Sequence, residues 1–180
     1  MRVLDAVVSA SMLLALLLGT GCGHYRLGTG VDTDFKTLYV APVENSAALP
    51  QGVALISTQI RDAFLRDGRL RLVNSAAEAD ATLSIRLTTY QRDVATVLPN
   101  DTGLARKFEL SLSATATLTD NRAHRPLFAN RPLAVRRQAY TDDPRAPNQF
   151  GQQRHSEYQA LPLLAASLAE SAVSAVLDRW

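Results

Sequence analysis

From Lys107 to Thr119 the chain alternates without a break. Phe108, Leu110, Leu112, Ala114, Ala116 and Leu118 fill one set of positions; Lys107, Glu109, Ser111, Ser113, Thr115, Thr117 and Thr119 fill the other. Ala81 to Tyr90 repeats the pattern, with Leu83, Ile85 and Leu87 set against Thr82, Ser84, Arg86, Thr88 and Tyr90. A period of two is the period of a strand, and strict alternation means a sheet with one face covered and one face open. Such a chain must supply a second layer to cover the apolar face.

Two segments have the pattern to do so. Pro50 suits the first turn of a helix, and Val53, Ile56, Ile60, Ala63 and Phe64 share one helical face before Gly68 closes it. A longer helix is expected from about Ser156 to Asp178, with Leu161, Leu164, Ala165, Leu168, Ala172, Ala175 and Val176 as its buried stripe and Pro162 in its first turn or at a kink. Strands are also expected at Phe35–Val43, Leu70–Val73 and Leu127–Tyr140, the last on an edge or bulged because Pro132 interrupts it. Gln91 to Arg106, with Pro99-Asn100-Asp101 and Gly103, reads as a long hairpin connection, and Thr141 to Gln153 as an irregular loop. The fold class is α+β: a two-layer sandwich of a small mixed β-sheet with two helices packed on one face.

The N-terminus carries a different signal. Arg2 gives a thin positive start, Ala6 to Leu18 an apolar run, and Gly19-Thr20-Gly21 a set of small residues before Cys22, the sole cysteine. A secretory signal has this layout, and the run falls short of the roughly 20 apolar residues of a membrane span. Leu18 to Cys22 resembles the lipobox of bacterial lipoproteins, although Gly19 stands where leucine is usual. The expected division is residues 1–21 as a lipoprotein signal peptide, 22–34 as a lipidated tether and 35–180 as one α+β domain. Cys22 is then the site of lipidation, palmitate included, and Gly23 rather than Asp after it suits outer-membrane sorting. With its cysteine so used, the domain has no internal disulfide and stands on its core.

The formal net charge is only +2, so bulk charge makes no case for nucleic acid. His24, His124 and His155 have no metal-ligand spacing, and no metal or cofactor is expected beyond the covalent lipid. Asp142-Asp143 and His155-Ser156-Glu157 come with no nucleophile elbow, glycine-rich phosphate loop or paired-carboxylate setting, so the chain reads as no enzyme.

Several motifs occur in a telling order: Cys22 followed by Gly23-His24-Tyr25-Arg26-Leu27; then Phe35-Lys36-Thr37-Leu38-Tyr39-Val40-Ala41-Pro42-Val43-Glu44-Asn45; then Phe64-Leu65-Arg66-Asp67-Gly68-Arg69-Leu70; then Ala79-Asp80-Ala81-Thr82-Leu83, the Ser/Thr hairpin and the terminal helix. The set resembles the lipopolysaccharide-assembly lipoprotein family, LptE. That resemblance implies a lipid-anchored protein at the periplasmic face of the outer membrane, bound to its inner leaflet. It would plug the LptD β-barrel and assist barrel assembly and lipopolysaccharide delivery. The first strand also resembles curli-secretion and TolB-like lipoproteins, which leaves a subunit of another envelope secretion or lipid-transport complex, curli-like or ABC-associated, as the alternative.

Two residue groups follow as candidates. Ser111, Ser113, Thr115 and Thr117 form a charge-free run, as a partner interface would; threonine also simply suits strands. The resemblance suggests that Arg92, Arg106, Lys107, Arg131, Arg136 and Arg137 meet lipopolysaccharide phosphates through charge-assisted contacts; ordinary solvated charge is the other reading.

Overall fold

A computed structural model describes residues 35–98, 101–140 and 149–177, with side chains described outside 95–106 and 149–153. The signal peptide, Cys22 and the tether lie outside the described residues, as do Pro99-Asn100 and most of the segment after Tyr140.

The elements run β1 (Thr37–Val40), β2 (Glu44–Asn45), α1 (Val53–Asp67), β3 (Arg71–Val73), β4 (Ala81–Leu98), β5 (Asp101–Asp120), β6 (Arg125–Tyr140) and α2 (Gln149–Leu177). The sheet order is β3-β1-β4-β5-β6, with β2 also paired to β4. β1 is parallel to both β3 and β4, and α1 makes the crossover that a parallel β1–β3 pair requires. β4, β5 and β6 form an antiparallel meander in which Leu83 faces Leu118, Leu87 faces Ala114 and Leu112 faces Val135. The sheet is mixed and the fold α+β, as the alternation implies.

All six apolar positions of β5, Phe108 through Leu118, are buried, as are Leu83, Ile85 and Leu87 of β4. All of these but Phe108 join Ile56, Ile60, Ala63 and Phe64 of α1 and Leu161, Leu164, Ala165, Leu168, Ala172 and Val176 of α2 in one core. Each fully buried Leu, Ile or Phe contributes about 1.5–3 kcal/mol of transfer free energy. Within Arg154–Leu177 an 18-residue window reaches a mean hydropathy of 1.7, enough for a membrane span by composition, and 56% of that window is buried inside the protein, as befits a core helix. Two glycines set the course of α1. Gly68 ends it at φ 73°, its N–H donating to the Phe64 carbonyl at 3.2 Å, the left-handed closure that glycine adopts freely. Gly52 is buried ahead of Val53, where a Cβ would stand 2.9 Å from Leu49 Cδ2.

Three boundaries differ from expectation. Gln91–Arg106 is no irregular connection: β4 runs on to Leu98 and β5 starts at Asp101. Register shifts at Leu87/Thr89 and again beyond Val94 absorb the broken alternation that hid these strand ends. α2 begins at Gln149, not near Ser156, because its glutamine-rich first turns favour helix without carrying an apolar stripe. Pro162 therefore lies inside the helix, on its exposed side, where water can satisfy the Tyr158 carbonyl left without a donor. The expected Phe35–Val43 strand divides into β1 and β2 around Pro42, which has no N–H to give a ladder. Pro132 sits on β6, an edge strand, opposite Thr115.

Candidate functional site

The meander turns one face away from the helices. Its rows follow from the register: Thr82 opposite Thr119, Ser84 opposite Thr117, Arg86 opposite Thr115, Thr89 opposite Ser113, Gln91 opposite Ser111 and Asp93 opposite Glu109. On the β6 side, Ser111 faces Arg136, Ser113 faces Ala134 and Thr115 faces Pro132. Ser111, Ser113, Thr115 and Thr117 thus line the middle strand, each half-buried by its neighbours. Thr117 Oγ1 accepts the Asn130 N–H at 3.1 Å. The centre is short-chained and uncharged. Charges stand at its borders, where Arg86 pairs with Glu44 at 2.7 Å and Arg136 with Glu109 at 3.3 Å. Exposed pairs of this kind add little stability, typically 0–1 kcal/mol.

The basic residues do not form one patch. Lys107 and Arg136 lie on the open face, Lys107 Nζ standing 5.8 Å from the centre of the Tyr140 ring. Arg92, Arg131 and Arg137 pair with Leu110, Ala116 and Leu110 respectively, and so project to the helix side. There each one grips α2. Arg92 Nη1 donates to Glu157 Oε2 at 3.0 Å, Arg137 Nη2 donates to Ser167 Oγ, and Arg131 Nη1 donates to the Ala175 carbonyl at 2.6 Å. Arg131 also lies 4.2 Å over the Phe128 ring. The Arg106 side chain lies outside the described residues, although its backbone belongs to β5.

The Leu87/Thr89 bulge decides where Arg92 points. Before it, Thr82, Ser84 and Arg86 face outward; after it, Tyr90, Arg92 and Val94 oppose Leu112, Leu110 and Phe108 on the covered side. Tyr90, expected on the open face, is instead half-buried against α2, where its hydroxyl donates to Glu157 Oε1 at 2.5 Å. Burial, reinforced by Glu157, pushes the Tyr90 phenol far above its ordinary range. Glu157 is thus a structural residue that sequence reading assigned to no role. Its partners are distant in sequence, and nothing local marks them.

At the other end of the sheet Asp80 ties the first strand to the β5–β6 turn. Its Oδ2 accepts the N–H groups of Lys36 and Thr37, both at 3.0 Å, and its Oδ1 meets Arg122. Thr37 Oγ1 in turn accepts the Asp80 N–H at 2.7 Å. Asn121 completes the knot, donating to the Ala76 and Ala79 carbonyls at 3.0 and 2.9 Å and accepting from Thr82 Oγ1. The Lys36 N–H above all, with Thr37 and Arg122, holds the Asp80 carboxyl below its usual range. Every oxygen of this carboxylate is in use, so the motif is architectural. Among the described residues no cluster of His, Cys, Asp and Glu could hold a metal ion.

No curated protein matches the sequence. Solved structures share the fold. An uncharacterized lipoprotein B from Nitrosomonas europaea is 16% identical with a TM-score of 0.54, over 81% of this chain and 84% of that one. A protein from Xanthomonas campestris is 15% identical with a TM-score of 0.51, over 80% and 86%. A hypothetical protein from Chlamydia trachomatis is 13% identical with a TM-score of 0.50, over 79% and 95%. A family model described as LptE, lipopolysaccharide-assembly, matches residues 35–175, from ahead of β1 into the last turn of α2, and the chain belongs to that family.

Proposed function

We propose that this member of the lipopolysaccharide-assembly family works as a lipid-anchored subunit at the periplasmic face of the outer membrane. There it plugs an LptD-type β-barrel and assists the barrel's assembly and the delivery of lipopolysaccharide. The observation that carries the reading is the uncharged Ser/Thr centre of the open face, with the Arg86–Glu44 and Arg136–Glu109 pairs at its borders. A sheet face turned to water normally carries many long charged side chains; charge depletion at a patch centre with a polar rim is the composition of an interface. Short hydroxyl side chains also suit close approach to another sheet. Cys22 would carry the acyl chains, and several chains at about 0.8 kcal/mol per buried methylene anchor stably. Of the basic candidates, Lys107 and Arg136 would meet lipid phosphates from the open face, whereas Arg92, Arg131 and Arg137 are engaged with α2.

The test is a tagged pull-down from gently solubilised outer membranes, with bound proteins identified by mass spectrometry. A large β-barrel in roughly stoichiometric yield is expected, and Ser113→Arg with Thr115→Arg should lower that yield at least about tenfold, the loss expected from burying unpaired charge. Recovery of self-oligomers or inner-membrane transporter subunits alone overturns the reading. Labelling with a palmitate analogue tests the anchor: equal labelling of wild type and Cys22→Ala would remove it.

A further inference from the structure

The sheet treats its free edges unequally. β3 offers only three residues, Arg71–Val73. The outer edge of β6 carries Pro126 and Pro132 together with Arg131, Arg136 and Arg137. Short length, proline and charge are the devices that keep an edge from pairing with another chain. The third edge is different. β1 and β2 cover β4 only as far as Leu87, whose carbonyl accepts the Ser46 N–H at 2.9 Å. Beyond it, among the described residues, no strand pairs with β4 on that side. From Thr89 to Val94 the strand stays in unbroken register with Ser113 to Phe108 and contains no proline. Thr89, Gln91, Arg92, Asp93 and Val94 are exposed, Val94 by 59%.

The main-chain groups on this edge follow from parity. Leu83 and Leu87 turn their carbonyls toward β1 and β2, accepting from Ala41 and Ser46. The one-residue bulge at Thr88 passes that orientation to Tyr90, Arg92 and Val94. Their N–H and C=O groups form an outward-facing ladder continuous with the rows of the Ser/Thr face, because Thr89, Gln91 and Asp93 lie on that face.

From this geometry we infer that the Thr89–Val94 edge of β4 takes an extended segment of the barrel partner by strand addition. The inference rests on the barrel reading above. The edge also specifies the segment. Residues on the open-face side meet Thr89, Gln91 and Asp93, and Asp93 has no ion-pair partner among the described residues, so this side calls for hydroxyl or amide groups and a lysine or arginine. Residues on the other side meet Tyr90, the exposed Val94 and, between them, Arg92, whose charge is already matched by Glu157, so this side calls for β-branched or aromatic groups. The occupant is an amphipathic, basic β-strand.

Val94→Pro tests it. The substitution removes one outward N–H and places a ring on the edge, leaving the β4–β5 ladder intact. In the same membrane pull-down it should reduce barrel recovery at least about tenfold, the equivalent of one or two lost main-chain hydrogen bonds, while Val94→Thr retains wild-type recovery. Val94→Lys, which blunts the edge by charge, carries the test if the proline variant melts early. Wild-type recovery by both Val94→Pro and Val94→Lys overturns strand addition. If the Ser113→Arg/Thr115→Arg variant still abolishes recovery in that experiment, the barrel reading stands without the edge. No barrel with the wild-type protein overturns both.

Discussion

Arg131 and Arg136 are five residues apart on one strand, yet their removal should have very unequal consequences. Arg131→Ala takes away the 2.6 Å hydrogen bond to the Ala175 carbonyl, near the C-terminus of α2, where carbonyls lack intrahelical donors and the helix dipole favours a cation. A hydrogen bond from a charged donor contributes about 1.5–3 kcal/mol. The guanidinium stacked 4.2 Å over Phe128 adds about 0.5–1 kcal/mol. Part of this is returned when water reaches the vacated carbonyl, so the expected destabilisation is about 2–3 kcal/mol. For a domain of this size that lowers the melting temperature by about 4–12 °C. Arg136→Ala breaks only a 3.3 Å pair whose arginine side chain is 73% exposed, and should change stability by less than about 0.5 kcal/mol. Urea unfolding of the two variants, followed by circular dichroism, measures both. If Arg131→Ala unfolds like wild type, the α2-gripping role is wrong. A concurrent loss of lipopolysaccharide binding would make Arg131 a lipid contact instead.

Deleting Thr88 removes the extra residue of the bulge and leaves Leu87 and Tyr90 on the covered side. The deletion variant should fold with a stability loss under about 1 kcal/mol, whereas a register slip would expose Tyr90 and appear as increased tyrosine quenching by iodide. Gly52→Ala drives a methyl to 2.9 Å from the Leu49 side chain, which is only 1% exposed and must shift to admit it, so a loss of about 1–3 kcal/mol should show in the same unfolding assay. The folded-state pKa of Asp80 is depressed below its unfolded value near 3.8. Its contribution is therefore present above that value and lost as pH falls through the lower folded one. Wild type should exceed Asp80→Asn in stability at neutral pH, and the two curves should converge as pH falls below 3.8 and through the lower folded value; parallel curves would remove Asp80 as the cause.

Legibility in the sequence tracked the range of the interaction. The faces of β4 and β5 were written in alternation, and the buried stripes of α1 and α2 in helical spacing, because burial imposes those periods locally. Strand ends beyond Tyr90 and the first turns of α2 were not legible, since bulges break the period and a polar helix start carries none. The basic candidates were only partly readable. Leu133 and Val135 fix the parity of β6, which already sends Arg131 and Arg137 inward and Arg136 outward. What each inward arginine meets depends on how α2 crosses the sheet.

The sequence alone determined that one sheet face is covered and the other open, that two helices do the covering, and that the centre of the open face is free of charge. These follow from hydrophobic burial acting along one chain. Only the tertiary structure decided that the Thr88 bulge turns Tyr90 and Arg92 to the covered side. It alone brought Glu157 to them across more than sixty residues and left the Thr89–Val94 edge without a paired strand among the described residues. Pairing between distant strands and helix docking set those outcomes, and neither leaves a periodic mark on the residues it joins.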